Sequence, residues 1–163
     1  MPHHTIRIAV LNDAPELARL LTALGYACSA EQILERSADW AEAGNQAIVA
    51  EEPSGRLLGM ITLHRMIVLH RPKPVGRITA LVVDADKRGG GIGKSLVAAA
   101  ESNLFAAGCG LSEITSNDRL GDAHAFYQHF GYERTSIRLA KRKQDPALSC
   151  HILISVNHIP PNF

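Results

Sequence analysis

Hydrophobic residues recur along the chain at two spacings, and these spacings predict alternating helices and strands. The helical spacing predicts one helix capped by Asp13 and ended by Gly25, and a second that opens with the capping box Ser29–Gln32 and runs to about Trp40. Further helices are predicted at residues 92–104 and 123–130, and strands at residues 5–9, 47–51, 57–69, 77–84, 111–116 and 132–141. The predicted order of elements is therefore βααβββαβαβ.

The strand at residues 77–84 is apolar on both faces. Ile78, Ala80 and Val82 lie on one face, and Leu81 and Val83 lie on the other. A strand that is apolar on both faces is typical of the interior of a sheet that is covered on both sides. We therefore predict a mixed α/β (α+β) fold in which helices flank a central sheet.

Length, composition and charge indicate one globular domain. The chain has 163 residues, 46% of them hydrophobic, and a formal net charge of +1. A chain of this length can bury a sizeable core, so we predict a single domain over residues 1–163 with an atypical tail at 145–163. The small net charge favours neither nucleic acid nor an anionic membrane as a partner, and no apolar run reaches the length of a membrane span.

The cysteines indicate the compartment. Cys28, Cys109 and Cys150 are odd in number and lack the spacing of a metal site, and the N-terminus lacks the pattern of a signal peptide. We therefore predict reduced thiols, no bound metal and a cytoplasmic location.

A glycine-rich segment follows the central strand and carries the clearest chemical signal. Glycines allow backbone torsions that other residues avoid, and the helix that follows directs its unpaired N–H groups into the turn. Together with flanking cations, this arrangement predicts a site for a phosphate group. The residues concerned are Arg88, Gly89, Gly90, Gly91, Ile92, Gly93 and Lys94.

Three phosphate-loop patterns can be compared with this segment. A Walker A loop, G-x-x-x-x-G-K-S/T, requires glycine where the chain has Arg88. The dinucleotide pattern G-x-G-x-x-G requires its last glycine at Lys94 if it starts at Gly89, or at Leu96 if it starts at Gly91. The pattern R-x-x-G-x-G matches from Arg88 to Gly93. The segment thus resembles the pyrophosphate-binding loop of the GNAT family of N-acetyltransferases, which bind acetyl-CoA.

A second segment supports the same resemblance. Ala123, Phe126, Tyr127 and Phe130 share one helical face, and Gly131 can end that helix. Taken alone, the spacing indicates only that Tyr127 packs in a core. Considered together with the loop upstream, the segment from Ala123 to Tyr132 is similar to the family signature A-x-x-F-Y-x-x-x-G-F/Y.

The resemblance covers about residues 5–142 and implies the acyl-CoA N-acyltransferase fold, in which the sheet is mixed and mostly antiparallel. It implies that the backbone of Leu81, Val82 and Val83 pairs with the pantetheine arm of acetyl-CoA and that the loop from Arg88 to Lys94 binds the pyrophosphate. Asn117 resembles a polar residue that contacts CoA in the family, and a helix cap is its alternative role. For Cys150–Val156 we predict an added edge strand, either within one chain or across a homodimer.

The family chemistry implies that Tyr127 is the general acid, because a phenol is protonated at neutral pH and can protonate the leaving thiolate. The amine would attack directly in a ternary complex, with a backbone N–H of Val82 or Val83 stabilising the oxyanion. The general base stays open, since the fourth strand has no carboxylate before Asp84. The candidates are Glu51, Glu113, His64 and His124, and we favour His124.

The acceptor implied by the resemblance is a primary amine. A small molecule is the expected acceptor, and a protein N-terminus or a lysine is the alternative. Contacts to the acceptor are expected from residues 25–28 and from the end of the chain. A function of a different class also stays open, in which the fold binds acyl-CoA as a sensor and catalyses nothing.

Overall fold

A computed structural model describes residues 4–116, 121–141 and 143, which contain five strands, four α-helices and two short 3-10 helices. The strands are β1 (Thr5–Ile8), β2 (Asn45–Glu51), β3 (Leu57–Met66), β4 (Val75–Val83) and β5 (Leu111–Ile114). The helices are α1 (Ala14–Ala23), α2 (Ala30–Glu42), α3 (Ile92–Ala106) and α4 (Gly121–His129). The chain divides into two compact units between Thr115 and Ser116, and α4 is in the second unit.

The strands of the first unit form one sheet in the order β1-β2-β3-β4-β5. Neighbouring strands are antiparallel from β1 to β4, whereas β4 and β5 are parallel. The mixed, mostly antiparallel sheet is therefore confirmed. The strand that was predicted to be central, β4, lies between β3 and β5, with Val75, Ile78 and Val82 buried.

Two predicted strand assignments are wrong. β3 ends at Met66 rather than at residue 69, because its partner β4 starts opposite Met66. The described residues 133–141 form neither helix nor strand, so the sixth strand predicted at 132–141 is not present there. Ile137 is 78% exposed and Leu139 is 90% exposed. Alternation of apolar side chains is insufficient for a strand, which also needs a neighbouring strand to pair with its backbone.

Three further predictions lie outside the described residues. They are the contact of Asn117 with CoA, the acceptor contacts from the end of the chain, and the terminal strand at Cys150–Val156.

The start of α2 is confirmed in detail, whereas the start of α1 differs from the prediction. Ser29 and Gln32 bond to each other's backbone N–H groups as a capping box. Asp13 precedes α1 but its carboxylate does not cap the helix. It instead accepts hydrogen bonds from the Arg7 guanidinium at 2.7 and 2.9 Å and from the Val10 N–H. The preference of Asp13 for a guanidinium is expected, because a charge-assisted bidentate pair is stronger than a neutral cap.

α3 lies directly on the sheet because two glycines leave room for it. An added Cβ at Gly76 would lie 2.6 Å from a methyl carbon of Leu104 on α3. An added Cβ at Gly59 would lie 2.8 Å from the Val82 carbonyl oxygen and 3.2 Å from a Leu96 methyl carbon. Close approach at these points lets Leu96 and Leu104 be buried against the strands.

The substitution Gly59→Ala is expected to lower the free energy of unfolding by about 1–3 kcal/mol, since the new methyl group overpacks a site bounded by backbone. Urea unfolding would measure the change. Gly121→Ala is the matched control, because an added Cβ there has no heavy atom of a described residue within 4 Å and the free energy should not fall. Equal stability of both variants would contradict the close packing inferred for α3.

Candidate functional site

One edge of β4 loses its strand partner halfway along its length. β5 pairs with β4 only from Val75 to Ile78, whereas β3 continues to pair with β4 as far as Val83. In the described part of the first unit, the segment at residues 79–83 therefore has a ladder on its β3 side alone. An unpaired edge of this kind can bind an extended ligand through its backbone.

The alternation of an antiparallel ladder identifies which backbone groups face the open edge. The Asp84 N–H donates to the Leu58 carbonyl oxygen on the β3 side at 2.8 Å. Because bonding alternates along the strand, Val82 also faces β3, whereas the N–H and C=O groups of Leu81 and Val83 face away from it. The Val83 carbonyl accepts a hydrogen bond from Arg88 Nε at 3.3 Å, in agreement with this assignment.

A β-bulge lies where β5 separates from β4. The pairing changes from Thr62 opposite Ala80 to Leu63 opposite Ile78, so Thr79 is the extra residue on β4. The hydroxyl oxygens of Thr62 and Thr79 are 2.7 Å apart and connect the two strands across the bulge. Bulges bend and twist a strand, which accounts for the loss of pairing with β5 beyond Ile78.

The glycine-rich segment lies between a 3-10 helix at Ala85–Lys87 and the first turn of α3. Gly89 has φ of 77° and Gly91, the residue before α3, has φ of 80°. An added Cβ at either position would have no heavy atom of the described ranges within 4 Å, so the backbone torsion is what favours glycine there. The buried Ile92 side chain anchors the segment in the core.

The loop presents a row of backbone donors. The first bond of α3 runs from the Ser95 N–H to the Gly91 carbonyl. Among the described residues, no acceptor pairs with the N–H groups from Gly89 to Lys94. The helix dipole adds partial positive charge at the same point, and Lys94 is an exposed cation. The arrangement fits an anion such as a phosphate or pyrophosphate group.

A buried carboxylate fixes the start of this loop. Asp84 is 7% exposed and accepts hydrogen bonds at 2.7 Å from Arg19 and at 2.7 Å from Arg56. Arg19 belongs to α1 and also bonds to the Leu57 carbonyl, so the network joins α1, β3 and the loop. Sequence reasoning missed this network, because the partners lie 65 and 28 residues from Asp84.

In the second unit, α4 carries the predicted general acid. Ala123, Phe126, Tyr127 and Phe130 are each half-buried, and Gly131 follows with φ of 84°, which confirms the predicted helical face and its end. The Tyr127 ring lies 5.3 Å from that of Phe126, and burial raises the pKa of its phenol. Within the described residues, the hydroxyl has no hydrogen-bond partner. Because burial raises its pKa, the Tyr127 hydroxyl is protonated at neutral pH and can donate a hydrogen bond.

Two of the four candidate bases form ion pairs. Glu51 accepts from Arg7 Nε at 2.6 Å, and Glu113 accepts from Arg77 Nε at 2.6 Å. The Arg7 guanidinium lowers the pKa of Glu51, which makes it a weaker proton acceptor. His64 on β3 and His124 on α4 are half-buried imidazoles.

Residues 4–116, 121–141 and 143 contain no group of three or more His, Cys, Asp and Glu side chains suited to a metal ion. Within those ranges, no helix has both the length and the apolar character required to cross a membrane.

Comparison with known proteins identifies relatives. A model of the acetyltransferase (GNAT) family matches residues 14–132. The chain is 40% identical to aminoalkylphosphonate N-acetyltransferase of Salmonella typhimurium over 88 residues, which are 54% of this chain and 57% of that protein. The match therefore spans little more than half the length of this relative.

Solved structures show the same fold. An acetyltransferase of Trypanosoma brucei is similar with a TM-score of 0.77 and 24% identity, over 86% of this chain and 99% of that one. Glucosamine-6-phosphate N-acetyltransferase of Arabidopsis thaliana is similar with a TM-score of 0.75 and 21% identity, over 86% of this chain and 99% of that one.

Proposed function

Because the chain belongs to the GNAT family of acetyltransferases, we propose that it transfers the acetyl group of acetyl-CoA to the primary amine of a small molecule. The observation that carries this proposal is the row of N–H groups from Gly89 to Lys94, which has no acceptor among the described residues. It lies directly after the strand whose edge is open.

The residues of the first unit fit acetyl-CoA in two places. The N–H groups from Gly89 to Lys94 would bind the pyrophosphate, with Lys94 adding positive charge and Arg88 lying at the start of the loop. The outward N–H and C=O groups of Leu81 would pair with the amides of the pantetheine arm. The Val83 carbonyl has a second lone pair beside its bond from Arg88 and would accept from the same arm. Val82 lies between these two residues, and its own N–H and C=O groups bond to β3 and not to the ligand.

Acetyl-CoA supplies an acetyl thioester, which an amine can attack directly without a covalent enzyme intermediate. The Val83 N–H faces the open edge, so we assign it to the oxyanion that develops on the thioester carbonyl. We assign Tyr127 as the general acid that protonates the leaving sulfur. The support for this role is the family signature around Tyr127 and its phenol, whose pKa is raised by burial.

A proton must also leave the attacking amine, and we assign this step to His124. Its support is indirect: Glu51 and Glu113 are already paired with arginines, whereas His124 lies on α4 one turn before Tyr127. A neutral imidazole is a competent base near pH 7.

A small molecule is the acceptor favoured by the comparisons. The relative from Salmonella typhimurium is named for acetylating aminoalkylphosphonates, which are small amines. We further propose a cytoplasmic location, in keeping with the free thiols of Cys28 and Cys109. The homodimer stays a prediction, since it depends on the segment at residues 145–163.

Mass spectrometry of a reaction mixture would test the proposed function. The protein is incubated with acetyl-CoA and a panel of small amines, amino acids and a lysine peptide. We expect one or more small amines to gain an acetyl group at a rate proportional to enzyme concentration. Acetylation of the peptide alone would contradict the proposed acceptor class.

A further inference from the structure

A cavity of about 570 Å³ lies in the first unit beside the connection between α1 and α2. This volume is in the range of sites that bind small molecules. Its lining includes Leu21 of α1, Tyr26 and Cys28 of the connection, and Gln32, Glu35 and Arg36 of α2. The connection at residues 25–28 is the segment that the family resemblance assigns to the acceptor.

The Arg36 guanidinium is held in place on this lining. Its Nε donates to the Gln32 carbonyl at 2.9 Å, and its Nη2 donates to the Cys28 Sγ at 3.1 Å. A guanidinium has five N–H donors in a fixed plane, so these two bonds orient the group and leave three donors for another partner.

No carboxylate in the part of the chain that the structure describes occupies those remaining donors. Arg7, Arg19, Arg56 and Arg77 each form an ion pair with an aspartate or glutamate. Arg36 forms none with any described residue, although Glu35 precedes it on the same helix. Its cation therefore has an orientation fixed by neutral partners, and no described carboxylate neutralises its charge at the cavity.

We propose that the acceptor amine carries an anionic group and that Arg36 binds this group in the cavity between α1 and α2. The chemistry shared by the suitable groups is an oxyanion with two or more oxygens, as in a phosphonate, a phosphate ester or a carboxylate. The Glu35 carboxylate on the same lining disfavours anions that lack an amine. The site is thus suited to a small zwitterion. This inference rests on the proposed function.

Steady-state kinetics with three amines would test the role of Arg36. Aminoethylphosphonate and β-alanine carry a phosphonate and a carboxylate respectively, whereas ethylamine has no anionic group. In Arg36→Gln, we expect KM to rise tenfold or more for whichever anionic amine the native enzyme prefers. KM for ethylamine and for acetyl-CoA should change less than twofold.

Two further variants serve as controls. Arg71→Gln removes the same charge from an exposed position outside the cavity and should leave every KM unchanged. Arg36→Lys keeps the charge but loses the planar pair of donors, so the rise in KM should be smaller than in Arg36→Gln. An equal rise for ethylamine and the anionic amines, or no rise at all, would overturn the proposal.

Calorimetry separates this proposal from the proposed function. Aminoethylphosphonate and β-alanine are titrated into the native protein and into Arg36→Gln, each saturated with CoA. Loss of binding in Arg36→Gln would support the assignment of Arg36 even if no acetyl group were transferred. Absence of binding of both compounds to the native protein would overturn the assignment, whatever the result for ethylamine turnover.

Discussion

Replacement of Tyr127 by phenylalanine is expected to lower kcat by about 10²–10⁴-fold, the usual contribution of a general acid. The change removes the hydroxyl and keeps the ring that packs 5.3 Å from Phe126, so the free energy of unfolding should change little. Affinity for acetyl-CoA should be nearly unchanged, because the backbone groups proposed to bind it belong to the loop and to β4. Rapid-quench kinetics would report the chemical step, and calorimetry would report the affinity.

Tyr132→Phe is the matched control for this prediction. The Tyr132 ring lies 6.1 Å from that of Tyr127, and its family position accepts phenylalanine or tyrosine. Loss of the Tyr132 hydroxyl should therefore leave kcat within a few-fold of the native value. If Tyr127→Phe left kcat unaltered while chemistry limited the rate, Tyr127 would be a packing residue and the general acid would be elsewhere.

Gly91→Val is expected to weaken acetyl-CoA binding at least tenfold, roughly 1.4 kcal/mol. A β-branched side chain at φ of 80° is strained, and it enters open space at the start of α3, where the pyrophosphate is proposed to bind. Both effects disturb the row of N–H donors from Gly89 to Lys94. Isothermal titration calorimetry would measure the change.

Gly108→Val separates strain from ligand contact. Gly108 follows the other end of α3 and has φ of 83°. Among the described residues, an added Cβ at Gly108 likewise has no heavy atom within 4 Å. In Gly108→Val, the free energy of unfolding should fall by a similar amount, about 1–2 kcal/mol, and the affinity for acetyl-CoA should be retained. If a folded Gly91→Val variant bound acetyl-CoA as tightly as the native protein does, the assignment of the loop to the pyrophosphate would be wrong. Tighter binding of ATP or NAD than of CoA would also contradict it.

Local patterns in the sequence predicted the elements that local interactions determine. The capping box Ser29–Gln32, the helix that starts at Ile92, and Gly131 after α4 all depend on residues within a few positions of one another. The glycine-rich loop belongs to the same group, since strand, loop and helix are consecutive in the chain.

Features that depend on distant partners could not be predicted. The bulge at Thr79 requires the register between β3 and β4, and the burial of Asp84 requires arginines from α1 and from the turn before β3. The end of β3 at Met66 was set by where β4 begins, although apolar residues continue to Leu69. In each case, the missing information is which segments become neighbours in the fold.

The stoichiometry of acetyl transfer at steady state tests the proposed acetyltransferase activity most directly. Free CoA thiol and acetylated amine are measured together over time, with acetyl-CoA present and the amine either supplied or omitted. We expect one CoA to be released for each amine acetylated, and release at the background rate when the amine is omitted. Tight binding of acetyl-CoA with no CoA release on any amine of the panel would contradict the proposed activity and would indicate a non-catalytic acyl-CoA sensor.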